Sequence, residues 1–296
     1  MAQGAHIEIF TELAIAWVVI FFRLFARGRQ LGFRKLQVDD YLMPLAGCFY
    51  VGECVCAYSV HFFKEMAAAQ MRPAKHGSYM RRVPQWVHLK DGSKFFLVGW
   101  LTYTGCLWTL KTCILIFYSR LTANVPLNNM KLRIRIAAGA LIITFIAQVL
   151  VILLVCSPVT KTWSSGPNPS AKCLGPTAQT STYTMLIFNI LTDAYLMYLP
   201  IPVIWAAKLS TKQKLGLTAL FAGAVVTAVF GFMRCIQIIT ATDMDGATRA
   251  GLWSVRESCT AVIVTNIPLI YPYLNQKARS LGTSATSMGG NSSGFP

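Results

Sequence analysis

The chain has 296 residues and a formal net charge of +16, yet 54% of its residues are hydrophobic and only 13% are charged, about half the share usual in a soluble domain. Together with a mean hydropathy of +0.50, this argues against a water-soluble enzyme. It also argues against a nucleic-acid binder, because the bases are divided among short segments flanking apolar runs.

Seven apolar runs of spanning length follow one another at about 9–26, 41–63, 95–118, 136–156, 183–207, 215–239 and 252–274, since ~20 helical residues cover a ~30 Å hydrocarbon core. The first is crowded by Glu8, Glu12 and Arg23 and lacks the basic start of a cleaved leader, so it reads as a retained span. Bases gather after it (Arg27, Arg29, Arg34, Lys35), after span three (Arg120, Lys131, Arg133, Arg135), after span five (Lys208, Lys212, Lys214) and in the tail (Lys277, Arg279). By the positive-inside rule these ends face the cytoplasm. The expected architecture is an all-α membrane protein, a seven-transmembrane-helix bundle with its N-terminus outside and its C-terminus cytoplasmic. Residues 1–275 form the transmembrane domain, and 276–296 form a Gly/Ser-rich tail whose composition predicts disorder. The basic surface attracts anionic headgroups of the bilayer.

Span two opens on Asp39-Asp40, read as a helix cap, and carries Tyr50 and Glu53. The basic 64–94 segment reads as a solvated outer connector. In span three Trp100, Thr104, Trp108 and Lys111 share one face, with Lys111 ~24 Å along the span and expected to reach inward toward Asp39 or Asp40. After span four, Cys156 and Cys173 fall on the outer side and are candidates for a disulfide, whereas the remaining cysteines read as small buried hydrophobes. Span five places Asn189 one turn before Asp193, which lies ~15 Å from the outer edge, and then bends at Pro200 and Pro202. Span six carries Arg234. Span seven carries Trp253, Arg256 and Glu257 before Pro268 and Pro272.

Six ionisable residues therefore lie within apolar spans: Glu53, Lys111, Asp193, Arg234, Arg256 and Glu257. Each costs ~2.5–3.5 kcal/mol near a bilayer centre, so such residues are paired, water-linked or functional. Arg234 and Glu257 pair most naturally, being on consecutive spans at similar depth, and Arg256 has no assigned role. Glu53 and Asp193 are left without an evident cation and are the candidate groups for proton transfer. No Walker-type, GxGxxG or HExxH pattern occurs, and His6, His61, His76 and His88 lie at or beyond the outer boundary. No metal or cofactor is expected.

Several segments are similar to those of one known family. They are VDDYLM at 38–43, KTCILIFYSR at 111–120, CSPVTKTW at 156–163, NILTDAYLMYLPIPVIW at 189–205, LGLTALFAGAVV at 215–226 and WSVRES at 253–258. The chain resembles the fungal rhodopsin-domain integral membrane proteins, the group that includes a membrane protein of the satratoxin biosynthetic cluster. The resemblance implies a seven-helix bundle in which Lys111, Asp193, Arg234 and Glu257 are characteristic polar positions. Arg256 departs from the family, which usually has an aliphatic residue there. Despite the family name, no lysine lies between Leu252 and Leu274 to carry a retinal Schiff base, so light sensing is not expected.

The function expected is that of a membrane protein of secondary-metabolite biosynthesis that binds or converts a lipophilic small molecule. A cofactor-free cyclisation or isomerisation would use Glu53 or Asp193 as proton donor and Trp100, Trp108 and Trp253 as faces for developing positive charge. The alternatives are a seven-helix receptor whose basic inner loops meet a cytosolic protein partner, or a transporter or structural partner.

Overall fold

The computed structural model describes residues 2–32, 35–70, 85–122, 130–154, 179–202, 211–240 and 244–289. Seven long helices account for nearly all of them: α1 (Ala2–Leu31), α2 (Val38–Gln70), α3 (Gln85–Thr122), α4 (Met130–Leu154), α5 (Gln179–Tyr198), α6 (Thr211–Thr240) and α7 (Met244–Gly289). No strand occurs among the described residues. Stretches of α1, α2, α3, α4 and α6 are long and apolar enough to cross a membrane. The described parts of α5 and α7 fall short of that because they carry Asn189, Thr192 and Asp193, and Arg256, Glu257 and Ser258.

Cross-contacts show neighbouring helices running in alternate directions. Late α1 meets early α2 through Arg23 and Asp39, while early α1 meets late α2 through His6 and His61. Early α4 meets late α5 where the Tyr195 hydroxyl donates to the Arg133 carbonyl, and late α6 meets early α7 where Arg249 donates to Gln237. Burial is inverted relative to a soluble fold. α4 exposes Ile142, Ile143, Ile146 and Leu150 while burying Gln148, as expected of a helix facing lipid on one side and protein on the other. α3 is the hub: its Leu110 and Cys113 pack with Ile20, Met43, Tyr50 and Val262, and its Trp100 and Leu107 belong to the second apolar cluster, built on α3 to α7.

Helix ends follow local chemistry. Gly32, with φ of 80°, closes α1 in the left-handed conformation and donates from its amide to Gly28 O at 3.0 Å. Asp40, in the first turn of α2, then reaches back to accept from the Gln37 amide at 3.1 Å, satisfying one of the donors left open at the start of the helix. At Pro200 the expected bend is instead a break, α5 stopping at Tyr198 before a Leu199–Pro200 turn, since proline supplies no backbone donor to the next turn. Span seven stays helical through Pro268 and Pro272. It also continues to Gly289, through most of the segment whose composition predicts disorder. Extension of an existing helix requires no new nucleation, which lowers the barrier to helix in a weak sequence. Cys156 and Cys173 lie outside the described residues.

Candidate functional site

Glycine and small side chains bring the polar helices close. A Cβ at Gly223 of α6 would run into Val264 of α7, and one at Gly231 would lie 3.2 Å from the Glu257 carboxylate. One consequence is that α6 and α7 approach closely enough for Arg234 Nε to stand 3.7 Å from Glu257 Oε2, both side chains being buried. This is the pairing expected from their sequence positions. The other Glu257 oxygen accepts from Asn189 Nδ2 at 3.0 Å.

The arrangement then extends across the bundle. Lys111 Nζ lies 2.9 Å from Asp193 and donates to Thr192 Oγ1 at 2.7 Å and to the Asn189 carbonyl at 3.0 Å. Two expectations are corrected here. Lys111 does not reach Asp39 or Asp40, and Asp193 is not without a cation. Lys111, Asp193, Asn189, Glu257 and Arg234 form one continuous polar path through α3, α5, α7 and α6, along which every charge has an opposite within reach.

Asp39 and Asp40 are held by arginines. Arg23 meets Asp39 at 2.6 Å and Asp40 at 3.4 Å, Arg120 meets Asp39 at 2.7 Å, and Arg27 meets Asp40 at 3.4 Å. Arg23 also donates to Asn266 of α7 at 3.3 Å. Arg27 and Arg120, counted as loop charges in the sequence, join Arg23 in a largely buried network connecting α1, α2, α3 and α7. Arg256 is satisfied by Glu8 of α1 and lies over the Trp253 ring at 4.7 Å.

Glu53 stands apart. It is 2% exposed, and its hydrogen-bond donor is the Ser258 hydroxyl, 2.7 Å from Oε2. Oε1 is buried without a hydrogen-bond partner among the described residues. Glu53 lines a partly open cavity between α2, α3, α6 and α7, whose walls include Val60, Phe96, Trp100, Tyr103, Arg234 and Ser254. The cavity is mostly apolar with a few convergent polar groups, the usual composition of a small-molecule site. A second cavity borders the Lys111–Asp193 end of the polar path.

The expected aromatic wall is dispersed. Trp100 lines the cavity, but Trp108 donates its indole N–H to Thr144 of α4 and Trp253 carries Arg256. Tyr103, which sequence reasoning missed, replaces them: it lies one turn from Trp100, and Arg234 sits 4.3 Å above its ring and 5.0 Å above that of Trp100. Those two ring faces are therefore already engaged by a cation. The spacing of Trp100 and Tyr103 (i, i+3) was the signal that could have found the pair.

The fungal rhodopsin domain family model matches residues 22–276. A SAT4 family membrane protein of Emericella nidulans is 22% identical over 68% of this chain and 52% of its own length, so the chain spans about half of that relative. The polyenoic acids biosynthesis gene cluster protein Ba17b of Metarhizium anisopliae is 23% identical over 97% of this chain and 78% of its own length. No solved structure matches the chain.

Proposed function

The chain belongs to the fungal rhodopsin domain family and is a multi-pass integral membrane protein, and we propose that it takes a lipophilic biosynthetic intermediate from the bilayer into the Glu53 cavity and holds or isomerises it there. The observation that carries this reading is a buried carboxyl whose Oε1 lacks a hydrogen-bond partner among the described residues, on a residue that lines an apolar cavity. A carboxyl in that position is placed to pass a proton to or from bound substrate. Loop charge sets the N-terminus outside and the C-terminus in the cytoplasm, which puts the Glu53 cavity in the outer half of the bundle.

Proton transfer fits the site better than cation cyclisation. The faces of Trp100 and Tyr103 that would stabilise a carbocation already face Arg234, whose own charge repels a developing cation. Asp193 is the secondary candidate for proton transfer, its carboxylate engaged by Lys111. The name of the Metarhizium anisopliae relative, a biosynthesis gene cluster protein, supports a biosynthetic role over a sensory one.

Glu53→Gln tests the proposal, because it keeps the shape and the Ser258 contact while removing the transferable proton. The expected outcome is loss of the downstream metabolite, or its replacement by an accumulating precursor, with membrane expression and monodispersity unchanged. A metabolite profile identical to wild type in a strain expressing only Glu53→Gln would refute the catalytic reading. If the extracted variant also still retained the same lipids and metabolites as wild type, the carboxyl would have no part in binding either.

A further inference from the structure

His6 on α1 and His61 and Glu65 on α2 bring three ligand atoms within 4.8 Å of one another at the bundle end where α1 begins. We propose that these residues form a binding site for a borderline divalent cation of the Zn²⁺ type, which clips α1 to α2 and leaves at least one coordination position open.

His61 and Glu65 are four residues apart on one helix, so both side chains project from the same face. His61 Nδ1 already lies 3.5 Å from Glu65 Oε1. A tetrahedral ion with bonds of ~2.0–2.1 Å keeps neighbouring ligand atoms about 3.4 Å apart, so this pair is spaced as two ligands of one ion. The third ligand comes across the interface. The His6 and His61 rings are 4.8 Å apart between centroids and inclined by 69°, edge toward face, so their nitrogens can converge where stacked rings would hold them apart. Closing the remaining distance takes only side-chain rotation of Glu65, 42% exposed, and of half-buried His6.

Two further observations support a ligand. His6 Nδ1 is buried with no hydrogen-bond partner among the described residues, which is costly for an imidazole nitrogen and is relieved by a cation. The Tyr58 ring packs against His6 at 4.9 Å and is itself flanked by Phe10 and Phe62, an apolar collar that limits where the imidazole can turn. Two imidazoles and one carboxylate suit Zn²⁺ and its borderline neighbours better than Ca²⁺ or Mg²⁺, which prefer oxygen ligands. With three protein ligands the fourth position belongs to water or an exogenous anion. His6 precedes the family-matched residues 22–276, so this clip includes a residue that the family match does not cover.

The test is a Co²⁺ titration of the tag-free full-length protein in nanodiscs, read by visible d–d absorption and followed by displacement with Zn²⁺. The expected result is one displaceable ion per chain and a rise in melting temperature with Zn²⁺. His6→Asn and His61→Asn should each weaken binding by at least ~100-fold, and Glu65→Gln by ~10-fold. His76→Asn/His88→Asn, which touches the other two histidines, should bind like wild type. The proposal is overturned by wild-type protein that gives no saturable band, by a band that survives both His6→Asn and His61→Asn, or by strong thiolate-to-cobalt charge transfer, which would place the ion on a cysteine. Should the histidine variants fail to remain monodisperse, the wild-type spectrum alone decides between nitrogen and sulfur ligation.

Discussion

Lys111 and Asp193 show what a single residue's position can and cannot reveal. The Arg234–Glu257 pair was legible because consecutive spans connected by a short loop place both residues near the same end. Lys111–Asp193 was not, since the two depths do not match. Counted from the apolar runs at 95 and 183, Lys111 lies ~24 Å and Asp193 ~15 Å from the outer edge, a difference of ~9 Å that the extended lysine side chain bridges together with that of the aspartate. The pair makes a testable claim about roles. Lys111→Met leaves Asp193 beside a polar path without its cation, a loss of roughly 3 kcal/mol for one partner of a buried pair. Lys111→Met/Asp193→Asn should regain a good part of that, so thermal melts of the two single variants and the double in detergent should be strongly non-additive. Additive losses would mean that the two groups do not sense each other. The same strains test the proposed chemistry: if the double variant is stable and its metabolite profile matches wild type, Asp193 is an anchor for Lys111 and takes no part in the proposed proton transfer.

At the scale of elements, close approach of helices does what the hydrophobic effect does in water. Lipid offers no advantage to burying one apolar face against another, so packing depends on small residues that let backbones meet. Gly52 of α2 lies against Thr102 of α3, Gly99 of α3 against Cys56 of α2, and Gly223 of α6 against Val264 of α7. The last contact leaves no room for a methyl group. Gly223→Ala should force α6 and α7 apart and destabilise the protein by about 1–3 kcal/mol, the usual cost of overpacking. Val264→Ala in the same chain removes the obstructing branches and should raise the melting temperature back toward that of Val264→Ala alone. A Gly223→Ala variant that melts with the wild type, or one that Val264→Ala does not rescue, would show the interface to be looser than drawn. These contacts were hidden in the sequence because glycine in an apolar run looks the same whether it faces lipid or a helix. Asp40 was partly legible: the helix cap was read correctly, but its second task of holding arginines depends on helices that only the fold brings together.

For the whole molecule, seven apolar runs were enough to read the bundle, since the hydrocarbon thickness leaves few other arrangements for such a chain. Its asymmetry was not legible. One end is locked by Arg23, Arg27, Arg120, Asp39 and Asp40, which tie three helices together and reach α7 through Asn266. Toward the other end α2, α3 and α7, now joined by α6, part around the Glu53 cavity. On the proposed function, a firm base beneath the cavity would let ligand enter between helix ends without loosening the fold, so stability and binding should respond to different residues. Asp39 is the better place to test this than Asp40. Asp39 Oδ2 accepts close contacts from both Arg23 and Arg120, whereas Asp40 contributes only contacts of 3.4 Å to the arginines and its amide-capping bond of 3.1 Å. Asp39→Asn leaves the buried Arg23 guanidinium and the half-buried Arg120 facing a neutral amide, a cost of about 3 kcal/mol, and Asp40→Asn loses nearer 1 kcal/mol. Melting in detergent should therefore fall in the order wild type, Asp40→Asn, Asp39→Asn, while product formed per folded molecule stays constant across all three. A loss of product out of proportion to the loss of folded protein would mean that the ionic end and the cavity are coupled, and that the network acts as a conformational switch as well as a clamp.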